Sequence, residues 1–98
     1  MVSAPDSPIT LAHHVQRSDE VLFQEIGGEA VLLDLASERY FGLDPIGSRI
    51  WALLEGDQQL QRVHEVLCGE YDAEPEQIRI DILVLIDRLA EAGLVKVT

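Results

Sequence analysis

Near the middle of the chain, the dipeptide Asp44-Pro45 separates two kinds of periodicity. Before it, residues 39–44 read RYFGLD, an aromatic and apolar run too short to be a helix. After it, Ile46, Ile50, Trp51, Leu53 and Leu54 fall on helical spacing, and Gly56 ends the run. Asp is a preferred N-cap because its carboxylate accepts an otherwise unpartnered backbone N–H. Pro is favoured at the first helical position, where its missing N–H costs nothing. The backbone must therefore pass from extended to helical almost at once, which fixes a strand directly against the start of a helix.

The residues before that junction read as β structure. VLFQEI (21–26) is followed by the turn dipeptide Gly27-Gly28, then EAVLLDLAS (29–37), and SER leads into RYFGLD. Val31, Leu33 and Leu35 alternate with Leu32 and Asp34, so one face is wholly apolar and the other mixed. Three short strands with tight turns predict an antiparallel meander whose third strand is an edge. After the first helix, residues 59–71 carry Leu60, Val63, Leu67 and Tyr71 on one stripe. A third helix runs from Pro75 to about residue 92, ahead of Gly93, and LVKVT closes as an extended tail or short strand. The order is β-β-β-α-α-α, an α+β class. Residues 1–18, with Pro5 and Pro8 and no periodic pattern, read as a flexible N-terminal arm on a single domain spanning 19–98.

Charge narrows the function. The net charge is −11, and the seven Lys and Arg are nowhere concentrated. Binding a nucleic-acid backbone needs clustered cations, so nucleic acid is not an expected partner. The longest apolar run covers only residues 82–86, far below the roughly 20 residues of a membrane span. There is no signal-peptide pattern, and Cys68 stands alone, which fits a reducing compartment. A cytoplasmic protein with no membrane partner is expected.

Catalytic signals are missing. His13-His14 lies in the expected arm, and His64 with Cys68 supplies only two of the three or four ligands that zinc requires. No phosphate-binding glycine loop, nucleophile motif or carboxylate pair stands out, so no enzyme, metal or cofactor is expected. The third helix says more. Ile78, Ile82, Leu85 and Leu89 form a core stripe with Ile86 at its edge, yet Ile80, Leu83 and Val84 lie roughly opposite. That second apolar face admits burial within the fold, contact with a ligand or partner, or a dimer interface. Tyr40, Phe41 and Leu43 on the edge strand admit either core packing or acceptance of an extended peptide by strand addition, and alternate residues can do both. A DNA-binding winged helix fits poorly, since Arg79 and Arg88 on the third helix are outnumbered by Asp81, Asp87 and Glu91.

These pieces, in order, resemble the PqqD family, the recognition element of pathways that modify ribosomally made peptides. The resemblance rests on Tyr40-Phe41-Gly42-Leu43-Asp44, on GSRIWALL from Gly47, on YDAEPEQ from Tyr71, and on LAEAGLV from Leu89, and covers residues 21–95. It implies a winged helix-turn-helix, with a three-stranded antiparallel sheet followed by three helices. It also implies a non-catalytic protein that binds the leader of a precursor peptide as an added strand beside the third strand, against the third helix. The implied peptide-contacting residues are Leu33, Arg39, Tyr40, Phe41, Gly42, Leu43, Ile78, Asp81, Ile82, Val84 and Leu85. Arg39 and Arg79 are candidate partners for leader carboxylates, and Trp51 is expected to anchor helix to sheet. The implied recipient is a maturation enzyme, with the leader peptidase and cyclase of lasso-peptide pathways favoured by the YFGLDPIGSRIW wording. The alternatives are a chaperone serving a radical-SAM enzyme and a winged-helix dimerisation or regulatory module. The protein is expected to be a monomer or weak dimer.

Overall fold

A computed structural model describes residues 9–27 and 29–98. The elements are β1 (His14–Arg17), β2 (Val21–Ile26), β3 (Glu29–Asp34), β4 (Arg39–Leu43), α1 (Pro45–Leu53), β5 (Asp57–Gln59), α2 (Leu60–Glu70), α3 (Pro75–Glu91) and β6 (Val95–Val97). The fold is α+β, and the expected three strands followed by three helices are all present.

β2, β3 and β4 pair antiparallel in that order, so β4 is an edge. Leu32 sits opposite Phe23 on one side and Phe41 on the other. Alternation then puts Ala30, Leu32, Phe41 and Leu43 on the face that joins the core, and Leu22, Ile26, Val31, Leu33 and Tyr40 on the opposite face. β3 ends at Asp34, three residues earlier than the sequence predicts. The reason is local: Asp34 accepts from the Ala36 N–H (3.1 Å) and the Ser37 hydroxyl (2.8 Å). Such side-chain bonds to nearby groups favour a turn over continued pairing.

The Asp44-Pro45 junction behaves as its chemistry requires. Asp44 Oδ1 accepts the Gly47 N–H at 2.6 Å, and Pro45 occupies the first turn. Gly47 leaves room for this cap, since a Cβ would lie 3.0 Å from Asp44 Oδ1 and 3.3 Å from Leu43 Cδ2 and those side chains would have to give way. α1, α2 and α3 close over an all-apolar core that includes Leu32, Ile50, Trp51, Leu54, Leu67 and Ile82. At the α2–α3 turn, the His64 ring nitrogen Nε2 bonds the Pro75 carbonyl at 2.9 Å.

A second sheet corrects the expected arm. β1 is the central strand of a three-stranded antiparallel sheet ordered β5-β1-β6. Val15 lies opposite Gln58 and Val97 and is fully buried. Residues 14–17, read from sequence as part of a flexible segment, are thus a structural centre. Residues 1–8 of that segment lie outside the described part. The physical reason for the docking is the start of α2. The first N–H groups of a helix have no partner within it, and Gln59 offers no side-chain cap. The carbonyls of His13 and Leu11 accept from the N–H groups of Leu60 (3.0 Å) and Gln61 (2.8 Å) instead. Trp51 is nearly buried, and its partner is Arg17 of this second sheet. The guanidinium lies 5.1 Å from the ring centroid and donates to the Trp51 carbonyl at 3.3 Å.

Candidate functional site

Two faces of α3 carry different chemistry. Ile78, Ile82, Ile86 and Leu89 are buried in the core. Leu85, placed in that stripe from sequence, exchanges roles with Ile86: Ile86 is fully buried, while Leu85 is half-buried at the side. Asp81, Val84, Leu85 and Arg88 form the neighbouring stripe at i, i+3, i+4 and i+7, the spacing of one helix face.

That stripe is one wall of a groove of about 470 Å³. The other wall is the beginning of α1, with Asp44, Pro45, Ile46, Gly47 and Ile50. Pro45, Ile46, Ile50, Val84 and Leu85 give the lining its apolar part, and Val84 is 54% exposed. Charge is confined to Asp44, Asp81 and Arg88. Asp44 is committed to its cap, and Asp81 accepts from Gln77 at 2.9 Å. Arg88 stands over the Phe41 ring at 5.4 Å from its centroid, tying α3 to β4. Among the described residues it makes no ion pair.

β4 leads into the α1 wall of this groove, since Leu43 precedes Asp44, and Phe41 meets Arg88 of the α3 wall. On an edge strand about half of the backbone N–H and C=O groups point away from the sheet, free to pair with another chain. The Asp44–Gly47 cap therefore does two jobs. It ends the strand at a fixed place and opens the helical wall immediately beyond.

The residues anticipated from sequence divide three ways. Asp81, Val84 and Leu85 line the groove, and Phe41 touches it through Arg88. Ile78, Ile82 and Leu43 are buried in the core. Leu33 and Tyr40 lie on the opposite sheet face, and Arg39 and Gly42 are exposed along β4. The register places Phe41, not Tyr40, on the helix side. Arg79 is held by Glu76 in a two-pronged pair, whose hydrogen bonds keep the Glu76 carboxyl below its ordinary pKa and raise that of Arg79. Asp44, Pro45, Ile46, Gly47, Ile50 and Arg88 were not anticipated. The i+7 position after Asp81 was the sequence signal for Arg88. Nothing in the sequence marked the first turn of α1 as a wall, because its residues satisfy capping and core rules equally well.

Outside the groove, two surface pairs hold shifted acidities, Glu76–Arg79 and Arg49–Glu70, and the hydrogen bonds of the second (2.8 and 2.5 Å) lower the Glu70 carboxyl. No three His, Cys, Asp or Glu converge for a metal among the described residues. No described helix is long and apolar enough to cross a membrane. An open strand edge leading into an apolar groove can bind an extended chain by backbone pairing and side-chain burial.

Proteins with this architecture form a known class. Residues 29–95 match the family described as coenzyme PQQ synthesis protein D (PqqD), and the chain belongs to that family. It is 33% identical over 75 residues to the bifunctional coenzyme PQQ synthesis protein C/D of Methylorubrum extorquens; the match covers 76% of this chain and a fifth (20%) of that protein's length. The fold is also similar to that of TbiB1, solved in complex with the TbiA(beta) leader peptide. That match has a TM-score of 0.71 and 34% identity, over 82% of this chain and 93% of TbiB1.

Proposed function

We propose that this protein binds the leader segment of a ribosomally made precursor peptide and presents it to a maturation enzyme, without catalysing a reaction itself. The observation that carries this reading is the continuity of the open β4 edge with the groove between α1 and α3. The leader adds as a fourth strand beside β4, and its apolar side chains enter beside Val84 and Leu85. TbiB1, similar over nearly its whole length, is described bound to a leader peptide, which supports the reading. The contact set is Arg39, Phe41 and Gly42 along the strand with Asp44, Ile46, Asp81, Val84, Leu85 and Arg88 around the groove. Arg88 replaces Arg79 as the candidate cation for a leader carboxylate, because Glu76 already holds Arg79.

Magnitudes agree with such a role. A five-residue edge offers roughly four or five hydrogen bonds, each contributing about 0.5–1.5 kcal/mol net. Two or three apolar anchors add about 1.5–3 kcal/mol each. Against the cost of association, the sum reaches about micromolar affinity or tighter.

The receiving enzyme is taken to be the leader peptidase of a lasso-peptide pathway, acting with a cyclase. The match to a PQQ synthesis protein favours the second reading, a radical-SAM recipient. Hydrogen exchange tests the binding mode. Adding a synthetic leader peptide should protect outward amides within Arg39–Leu43 and leave β2 amides unchanged. Protection on β2 instead would place the added strand at the other edge and refute the proposal.

A further inference from the structure

The face of the β2-β3-β4 sheet turned away from the helices is apolar and uncovered. Leu22, Leu33 and Tyr40 lie side by side across the three strands, with Val31 and Ile26 beyond them. Tyr40 is 69% exposed, Ile26 61% and Leu22 45%. The Tyr40 hydroxyl has no hydrogen-bond partner among the described residues. Gly42 shares this face opposite Val31, and a Cβ there would meet nothing within 4 Å, so the surface dips beside the tyrosine. A single exposed apolar residue is ordinary, but a contiguous row across three strands is not.

Charge selects the occupant. Between Ser18 and Asp44 the chain carries Asp19, Glu20, Glu25, Glu29, Asp34, Glu38 and Asp44 against Arg39 alone. Two copies of so acidic a surface, each on a chain of net charge −11, would repel each other. A partner with an apolar centre framed by Lys and Arg would be attracted and steered.

We infer that this outer sheet face docks the maturation enzyme, through an apolar patch on that enzyme framed by basic residues, and that a bound leader enlarges the docking surface. The inference rests on the leader-binding reading for its second half. A strand added at β4 would set alternate side chains on this same face, next to Tyr40 and Gly42. The enzyme would then meet protein and leader as one sheet and favour the loaded form.

The test uses the full chain, the synthetic leader and the purified maturation enzyme encoded beside this chain's gene. Leu22→Asp combined with Ile26→Asp changes β2, two strands away from the leader edge, at exposed positions. Enzyme affinity should fall at least tenfold while leader affinity stays within twofold, the latter also reporting an intact fold. Glu29→Lys, a change of framing charge alone, should slow enzyme association and flatten its salt dependence. For the wild type, leader should tighten enzyme binding several-fold. Equal enzyme affinity for wild type and double variant would overturn the inference, as would no enzyme binding by the wild type with or without leader. Loss of leader binding in the double variant would overturn it too, by assigning the face to the leader. A wild-type dimer lost in the double variant, with enzyme affinity unchanged, would give the face to a second copy. Should the leader fail to bind the wild type, the leader-binding reading falls, and the leader-free enzyme titration still decides the face.

Discussion

The core face and the groove face of α3 are made from almost the same residues and do opposite things. Ile78, Ile82, Ile86 and Leu89 are sealed against the other elements. One step around the helix, Val84 and Leu85 are equally apolar but stand open beside Asp81 and Arg88. The difference lies in what faces them. The core stripe meets side chains of its own fold, whereas the groove stripe meets the capped first turn of α1 across a gap. An apolar stripe in a sequence therefore marks surface that needs covering, without saying whether the cover comes from the same chain.

Substitutions can break this contrast, and the largest effect is expected at the core. Ile82→Ala should lower unfolding stability by about 2–5 kcal/mol, as large-to-small core changes do, measured by denaturant unfolding. Val84→Asp should change stability by less than about 0.5 kcal/mol, the usual range for a surface site, while abolishing leader binding. The wall opposite comes next. Asp44→Ala removes the α1 cap at a cost of about 1 kcal/mol and should weaken leader binding as well, because the end of β4 loses its anchor. Arg88→Met should cost no more than about 0.5–1 kcal/mol through the lost contact with Phe41, and should weaken binding only to leaders carrying a carboxylate at the matching position.

The smallest effect sharpens the comparison from outside it. Arg49 holds the Glu70 carboxyl low through a two-pronged hydrogen bond at the surface. A depressed carboxyl pKa stabilises the fold above the ordinary carboxylate range, and that contribution is lost as pH falls through the folded value. Arg49→Met should therefore lower Tm slightly at pH 7, and by less as the pH falls through the lowered Glu70 pKa. Leader affinity should be unaffected throughout.

How much of this was legible in the sequence follows from the kind of signal each part leaves. The meander and the three helices announce themselves through alternation, helical spacing and the Asp44-Pro45 cap. Of the β5-β1-β6 sheet only β6 does, as the short apolar run LVKVT; β1 and β5 exist through pairing, and of HVQR and DQQ only Val15 reaches the core. The groove was half legible. Val84 showed as a surplus apolar residue and Asp81 and Leu85 as its neighbours, but the α1 wall was hidden in residues that capping alone explains. Register was the remaining gap. A strand one residue out of step exchanges faces, and only pairing with β3 assigns Phe41 to the helix side and Tyr40 to the outer face.

Whether the groove face of α3 is kept open for a leader peptide can be decided by one paired titration. The synthetic leader would be titrated into wild type and Val84→Asp by calorimetry, with Tm measured for both. Wild type should bind saturably with a Kd of about micromolar or tighter, and the variant should not bind, at matching Tm values. Equal affinities at matching Tm would contradict a groove kept open for the leader.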